Sequence, residues 1–397
     1  MKITGIHTFL MQAGAPAGTA AWSSGTDAAK TGYRNWLFVK VTTDEGISGV
    51  GECSGWPRVI ETAVMDLTNL LLGENPFDIE RLWQKMQVGM MGHGMTGVVG
   101  AGAMTGIDMA LWDIKGKALN TPVWNLLGGK MRDRIRIYAH AKTPEVALKF
   151  KARGITAVKA GGLSAPVEMM EKLRAAVGDD MDLMLDMHGP PWLATADAIA
   201  LGRRLEPLDL LFIEDPVSPE QADGYARIRD AVAIPLAAGE RATTIWGLRP
   251  LIEQGLVDVV QPDTGRVGGI TQMKKIAAMA ESRGIMFAPH SGSLGPVAEY
   301  AALHVLAAIP NGLILERMED DWAGRSQVIT PSPVTVDGHI AVPDGPGLGV
   351  EIVESEIGKY PSLRNVGIGA TGDYAIGTAG ETVYVQTRFR RGKWLGR

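Results

Sequence analysis

The sequence predicts an α/β protein in which a barrel of alternating strands and helices follows a smaller α+β domain. Three observations lead there. From Arg134 onward short apolar runs recur, each closed by a polar or charged residue and followed by an amphipathic helical stretch such as "PVEMMEKLRAAV" or "GITQMKKIAAMAESRG". The closing residues Lys159, Asp186, Glu214, Glu240, Asp263, His290 and Glu316 are spaced by 27, 28, 26, 23, 27 and 26 residues, about what a strand, a helix and two short loops need. The first 130 residues lack this period.

In that first region "ITGIHTFLM", "NWLFVKVTTDEG" and "SGVGECSG" alternate as antiparallel strands, while "NPFDIERLWQKMQ" and "GIDMALWDIKGKAL" carry helical periodicity, giving an α+β domain over residues 1–130. Two further segments, "QAGAPAGTAAWSSGTDAAKTGY" and "VGMMGHGMTGVVGAGAMTG", have no strong period. Long loops in compact proteins are often active-site covers, so both read as lids. "RIRIYAH" then opens a series of eight strands within residues 131–325. Eight consecutive units with polar residues at the strand C-termini point to a (β/α)₈ barrel, whose active site is built on that face. Residues 326–397 form a C-terminal segment expected to return to the first domain. Its tail, from about residue 365, contains "TVYVQTRF", whose alternation suggests an extra strand on the first domain or on a neighbouring subunit.

Composition narrows the function classes. At 397 residues the chain is long enough for two or three domains, and 46% hydrophobic with 21% charged residues is ordinary for a globular protein. No apolar run reaches the length of a membrane span. The start "MKITGIHTFLM" reads as a strand rather than a secretory signal, so a cytoplasmic location is expected. The single cysteine, Cys53, cannot form an internal disulfide and reads as a small filler. A net charge of −5 with scattered basic residues gives no footprint for nucleic acid, and the basic end "RFRRGKWLGR" reads as a solvated or partner-contacting tail.

The strand "LMLDMHGPPW" raises the functional question, because an aspartate and a histidine two residues apart leave an apolar run on one face. Taken singly, a strand-end Asp or Glu is commonly a helix cap or simply solvated. The set is more informative. Asp186, Glu214 and Glu240 come from three adjacent strands, and three converging carboxylates repel unless a cation neutralises them. Hard oxygen donors without Cys or paired His suit Mg²⁺, with Mn²⁺ as a substitute. Beside them His290 and Asp263, on neighbouring strands, form a pair suited to taking a proton from carbon.

Strand-end Asp, Glu and Glu, followed by "QPDTGRVGGIT" and "APHSG", together with "GIDMALWDIKGK" and "VPDGPGLGVE", resemble the enolase superfamily and within it the mandelate racemase-like subgroup. The likeness spans residues 1 to about 355. It implies an α+β capping domain, a modified (β/α)₇β barrel, one Mg²⁺, and abstraction of a proton next to a carboxylate to give an enediolate. Most members carry Lys-x-Lys at the end of the second barrel strand; here "VKAGG" places Lys159 at the first position and Gly161 at the second, so the usual lysine base is missing. "DMHG" resembles instead the acid-sugar dehydratases of the subgroup, galactonate dehydratases among them, in which this histidine is the general acid.

The resemblance therefore implies a Mg²⁺-dependent dehydratase of aldonic or aldaric acids. Asp186, Glu214 and Glu240 would hold the metal; His290, supported by Asp263, would be the base; His188 would protonate the leaving hydroxyl. Glu316 would hydrogen-bond the enediolate, and Lys159 would bind the substrate carboxylate or a metal ligand. Trp22, Trp56, Arg58 and His93 are the candidates for sugar recognition, and a homo-oligomer is expected. The alternatives are an epimerase, racemase or lactone cycloisomerase on the same scaffold, or a non-catalytic sugar-acid-binding protein.

Overall fold

The computed structural model describes residues 1–13, 34–92, 97–163, 165–189, 191–292, 294–362 and 384–385. Trp22, His93, nearly all of the first expected lid and most of the tail lie outside these residues. Among the described residues no helix is long and apolar enough to cross a membrane.

The chain opens with an antiparallel meander of β1 (Ile3–Ala13), β2 (Arg34–Thr43) and β3 (Ser48–Cys53). Both faces of β2 are buried, so its alternate residues feed two cores. Leu37, Val39 and Val41 enter the core of the capping domain, whereas Trp36 and Phe38 join the core that continues into the barrel. Helices Pro57–Leu71, Ile79–Met91 and Val98–Ala118 cover the sheet.

The second expected lid is a correction: residues 88–91 end one of these helices and residues 98–106 begin another. The helix Val98–Ala118 is buried around most of its girth, and its first turns, residues 98–106, are small or apolar on every side, so that part shows no amphipathic stripe to mark it off from a loop, while "GIDMALWDIKGKAL" continues it as expected. Small residues bring it close to β3. A Cβ on Gly51 would stand 1.9 Å from the Gly106 carbonyl oxygen, and one on Gly106 would stand 2.4 Å from Cys53 Sγ.

Eight parallel strands then form the barrel, in the expected order: β4 (Arg134–His140), β5 (Ala157–Gly161), β6 (Asp182–Asp186), β7 (Phe212–Glu214), β8 (Leu236–Ala238), β9 (Val259–Val260), β10 (Met286–Phe287) and β11 (Leu315–Glu316). β11 pairs back to β4, and a bridge between Phe287 and Gly312 joins β10 to the run before β11, so the ring closes. Among the described residues seven α-helices lie between these strands, and a 3₁₀ turn, Ala323–Ser326, follows the eighth, as a (β/α)₇β barrel requires.

After β11 the chain forms β12 (Ile329–Thr330), β13 (Thr335–Val336), β14 (His339–Ala341) and β15 (Glu351–Ile352). β14 adds antiparallel to β4, and β12 pairs with β15. The chain also reaches the capping domain, where Gln12 N donates to Tyr360 O at 3.0 Å. Tyr384, in the expected tail strand, instead bridges Trp192 on the barrel, and Val385 N donates to Trp192 O at 2.9 Å. The described part of the tail therefore lies beside the turn after β6 and not on the capping domain.

Candidate active site

The barrel interior explains why the site sits where it does. One residue from each strand or its edge fills a buried apolar layer: Tyr138, Ala157, Met184, Phe212, Ala237, Val259, Ala288 and Ile314. Two positions further along, the pleat returns the next inward side chain. That step gives His140, Lys159, Asp186, Glu214, Gln261, His290 and Glu316 on seven strands. On β8 it falls on Gly239, and Glu240 follows one residue later. A polar layer thus lies directly on an apolar plug, at the floor of a cavity of about 690 Å³ that His140, Asp186, His188, Glu240, His290 and Glu316 help to line.

His290 and Asp263 come together as expected. Their backbones form a parallel bridge, and His290 Nδ1 lies 2.6 Å from Asp263 Oδ2. Ser54 Oγ and Gly265 N both donate to Asp263 Oδ1, at 2.7 and 2.9 Å. With Nδ1 facing a carboxylate, the ring turns Nε2 toward Glu240 Oε2, 3.1 Å away, and Glu316 Oε2, 3.7 Å away. Burial lowers the basicity of this imidazole, but the Glu240, Glu316 and Asp263 carboxylates outweigh it and push its pKa up to about 10.

The three expected metal ligands end or closely follow adjacent strands. Lys159 reaches into their midst: its ammonium is 2.6 Å from Glu214 Oε2, 2.9 Å from Glu316 Oε1 and 3.4 Å from Asp186 Oδ2. Burial opposes its charge, yet the carboxylates hold its pKa well above the usual lysine value. Burial likewise works against ionised Asp186, but Lys159 and His188 hold that carboxyl well below the usual range. Glu214 is pushed up, to about 8, by burial and by neighbouring Asp186.

Among the described residues no three Asp, Glu, His or Cys side chains already stand in a coordinating cluster. The donor set nevertheless fits a hard cation. Asp186 Oδ1 and Glu214 Oε1 are buried carboxylate oxygens on paired strands without a hydrogen-bond partner, and buried acceptors are rarely left that way. Oxygen donors of this kind are those Mg²⁺ takes.

His188 stands just past β6 with φ +37°, a conformation that non-glycine residues seldom adopt. Its turn is held from several sides. Arg241 donates to Gly189 O at 3.0 Å and stacks over Trp192 at 5.1 Å from the ring centroid, while the Trp192 ring packs against Gly189. His188 Nδ1 lies 3.7 Å from Asp186 Oδ2. Burial lowers its pKa, and Asp186 more than compensates, so the net direction is upward.

Trp56 and Arg58 are not in this cavity. They line a second one of about 820 Å³ on the capping-domain side, which meets the first at Arg266, a residue lining both. Sequence reasoning missed His140, Arg241 and Arg266. His140 Nε2 lies 2.9 Å from Glu316 Oε1, Arg241 is 3.2 Å from Glu240 Oε1, and Arg266 donates to Glu240 O at 2.9 Å. Counting two residues past the apolar layer would have found His140; the arginines carry no comparable signal.

Sequence and structure comparisons agree with this architecture. Residues 23–128 match the mandelate racemase / muconate lactonizing enzyme N-terminal domain family, and residues 142–356 match the enolase C-terminal domain-like family. A D-galactonate dehydratase of Variovorax paradoxus (strain S110) is 37% identical over 383 residues, covering 90% of this chain and 94% of its own. The 3,6-anhydro-D-galactonate cycloisomerase of Zobellia galactanivorans superposes with a TM-score of 0.82 at 33% identity, covering 91% of this chain and 100% of its own. An enolase from Pantoea ananatis with bound D-gluconate and Mg gives a TM-score of 0.81 at 29% identity, covering 91% and 94%. The chain belongs to the enolase superfamily, in its mandelate racemase/muconate lactonizing enzyme subgroup.

Proposed function

We propose that this protein is a Mg²⁺-dependent acid-sugar dehydratase, converting an aldonic or aldaric acid into a 2-keto-3-deoxy acid through an enediolate. One observation carries the reading. His290 follows β10 and His188 follows β6, four strands apart in a ring of eight, so the two histidines lie on opposite sides of the mouth and both line its cavity, with Glu240 between them in strand order. Dehydration next to a carboxylate needs a base on one carbon and an acid on its neighbour, and two opposed histidines can supply them.

His290 Nε2 takes the proton from C2, with Nδ1 anchored on Asp263. The C–H electron pair passes into the enediolate, the C3–O bond breaks, and His188 gives its proton to the departing hydroxyl, releasing water. The resulting enol takes a proton at C3 and ketonises. Lys159, whose ammonium is 2.6 Å from Glu214 Oε2 and 2.9 Å from Glu316 Oε1, is tied into the floor carboxylates and offers positive charge to the floor of the site. Glu316, whose Oε2 accepts from Ser291 N and Gly292 N at 2.8 Å, is fixed in place between the strands that lead to His290 and His140. Asp186, Glu214 and Glu240 would hold the Mg²⁺, which when bound supplies positive charge opposite the substrate carboxylate. The D-galactonate dehydratase relative and the gluconate-bound structural neighbour support a sugar acid as substrate.

A cycloisomerase is the second reading, favoured by the likeness to the Zobellia enzyme. A screen of aldonic, aldaric and anhydro-aldonic acids with Mg²⁺ present separates the two. Formation of a 2-keto acid from an open-chain acid is expected; isomerisation of an anhydro acid with no 2-keto product from any open-chain acid would overturn the dehydratase reading.

A further inference from the structure

We propose that Ser54, a residue of the capping domain, is a positioning residue for the His290–Asp263 pair, so that the base is complete only when the capping domain is seated. The inference rests on the reading of His290 as the base at C2. Ser54 directly follows β3 and is 7% exposed. Its hydroxyl donates to Asp263 Oδ1 at 2.7 Å, and Gly265 N donates to the same oxygen at 2.9 Å. Both donors therefore lie on Oδ1, and Oδ2 is turned to His290 Nδ1 at 2.6 Å, with Arg266 Nη2 3.3 Å away on the same side. A carboxylate clamped in this way cannot rotate without giving up a buried hydrogen bond, which costs about 1–3 kcal/mol.

The rest of the loop that starts at Asp263, and the first turn of the helix after it (Gly269–Glu281), are also hung on the capping domain. Trp83 Nε1 donates to Gly268 O at 2.8 Å, Gly268 N donates to Thr105 Oγ1 at 2.8 Å, and Thr271 N donates to Asp108 Oδ2 at 3.0 Å. Those bonds join the domains without touching the pair. Ser54 N adds another, donating to Gly265 O at 2.7 Å. Domain docking thus has ample backbone and side-chain support without the Ser54 hydroxyl. The approach at this point is close: a Cβ on Gly265 would stand 2.7 Å from Ser54 Cβ. What the hydroxyl adds is a fixed direction for Asp263.

Ser54→Ala keeps the backbone bond and removes only that direction. In the full-length Mg²⁺-loaded enzyme, kcat for exchange of the substrate C2 hydrogen with D₂O should fall about 10- to 100-fold, as when an imidazole loses an outer hydrogen-bond partner. KM and the thermal midpoint should stay near wild type, and Ser54→Thr, which keeps the hydroxyl, should recover exchange. In the substrate-free protein the downfield proton resonance of the His290 Nδ1–H should move or broaden in Ser54→Ala. Unchanged exchange with an unchanged resonance would overturn the proposal. So would a loss of exchange that tracks a fall in thermal midpoint and is not recovered by Thr, which would mark Ser54 as domain glue. If the wild-type protein exchanges C2 hydrogen in no sugar acid, the functional reading has failed, and the resonance alone then decides the Ser54 claim.

Discussion

The Lys159 ammonium lies 2.6 Å from Glu214 Oε2, with both side chains almost fully buried, and the same ammonium also faces Asp186 and Glu316. It is the cation nearest the floor carboxylates. Removing one partner of a buried pair leaves the other uncompensated, at a cost of about 3–5 kcal/mol. Lys159→Met should therefore lower the thermal midpoint of EDTA-treated protein markedly. Added Mg²⁺ should recover most of that loss, because a bound cation would replace the missing charge. Differential scanning calorimetry with and without Mg²⁺ reads both effects; a midpoint indifferent to Mg²⁺ in wild type and variant alike would contradict the ligand set Asp186, Glu214 and Glu240.

The two histidines should separate cleanly in kinetics. His290→Asn should stop both dehydration and exchange of the C2 hydrogen, with a loss of at least about 10²-fold. His188→Asn should lose dehydration to a similar degree but still wash deuterium into C2 of recovered substrate. Proton NMR of the substrate after incubation in D₂O measures this. The opposite pattern would exchange the two roles, and a fall of less than about tenfold in both variants would place the proton transfers elsewhere.

Much of this site was legible because a barrel makes sequence spacing and spatial order the same thing. Lys159, Asp186, Glu214, Glu240, Asp263, His290 and Glu316 could be listed from their near-constant separation, and the structure puts them around one ring of strands. What escaped has a physical reason in each case. The first turns of the helix Val98–Ala118, residues 98–106, are small or apolar all round and rich in glycine, so that stretch looked like a loop, whereas the remainder was legible as helix. His140 ends a strand with no preceding repeat to set its register. Arg241 and Arg266 lie in loops, where no periodicity says which way a side chain turns. The tail stretch "TVYVQTRF" alternates like a strand, but alternation alone does not choose a partner, and Tyr384, one of its two described residues, bridges Trp192.

The close approach of that buried helix to β3 gives a stability prediction. A methyl group on Gly51 would stand 1.9 Å from the Gly106 carbonyl oxygen, a backbone atom that cannot swing aside. Overpacking of a tight core costs about 1–3 kcal/mol and more when backbone must move. Gly51→Ala should cost about 3 kcal/mol in urea unfolding. It should also lower C2 exchange in the still-folded protein, because β3 leads directly into Ser54. A loss below about 1 kcal/mol would mean that helix and sheet can separate at little cost.

His304 supplies the pH dependence of folding. It is fully buried; Trp124 N donates to its Nδ1 at 3.2 Å, and its Nε2 lies 2.9 Å from Leu348 O. With Nδ1 accepting and Nε2 donating, the neutral ring is satisfied and a second proton has no acceptor to face. Burial accordingly pushes its pKa down from the ordinary 6.5 to about 4. Between those two values the unfolded chain binds the proton and the folded chain does not, so this residue's contribution to stability is whole above about pH 6.5 and shrinks as the pH falls toward 4. The full loss is roughly 3 kcal/mol. Buried acids with raised pKa values, such as Glu52 and Asp108 at about 7, act in the opposite sense, so the wild-type curve alone does not isolate the histidine. The difference between wild type and His304→Asn does. His304→Asn should be the less stable protein at pH 7, and the gap should narrow steadily as the pH is lowered to 4 in urea unfolding; a gap that stays constant over that range would show that His304 does not titrate differently in the two states.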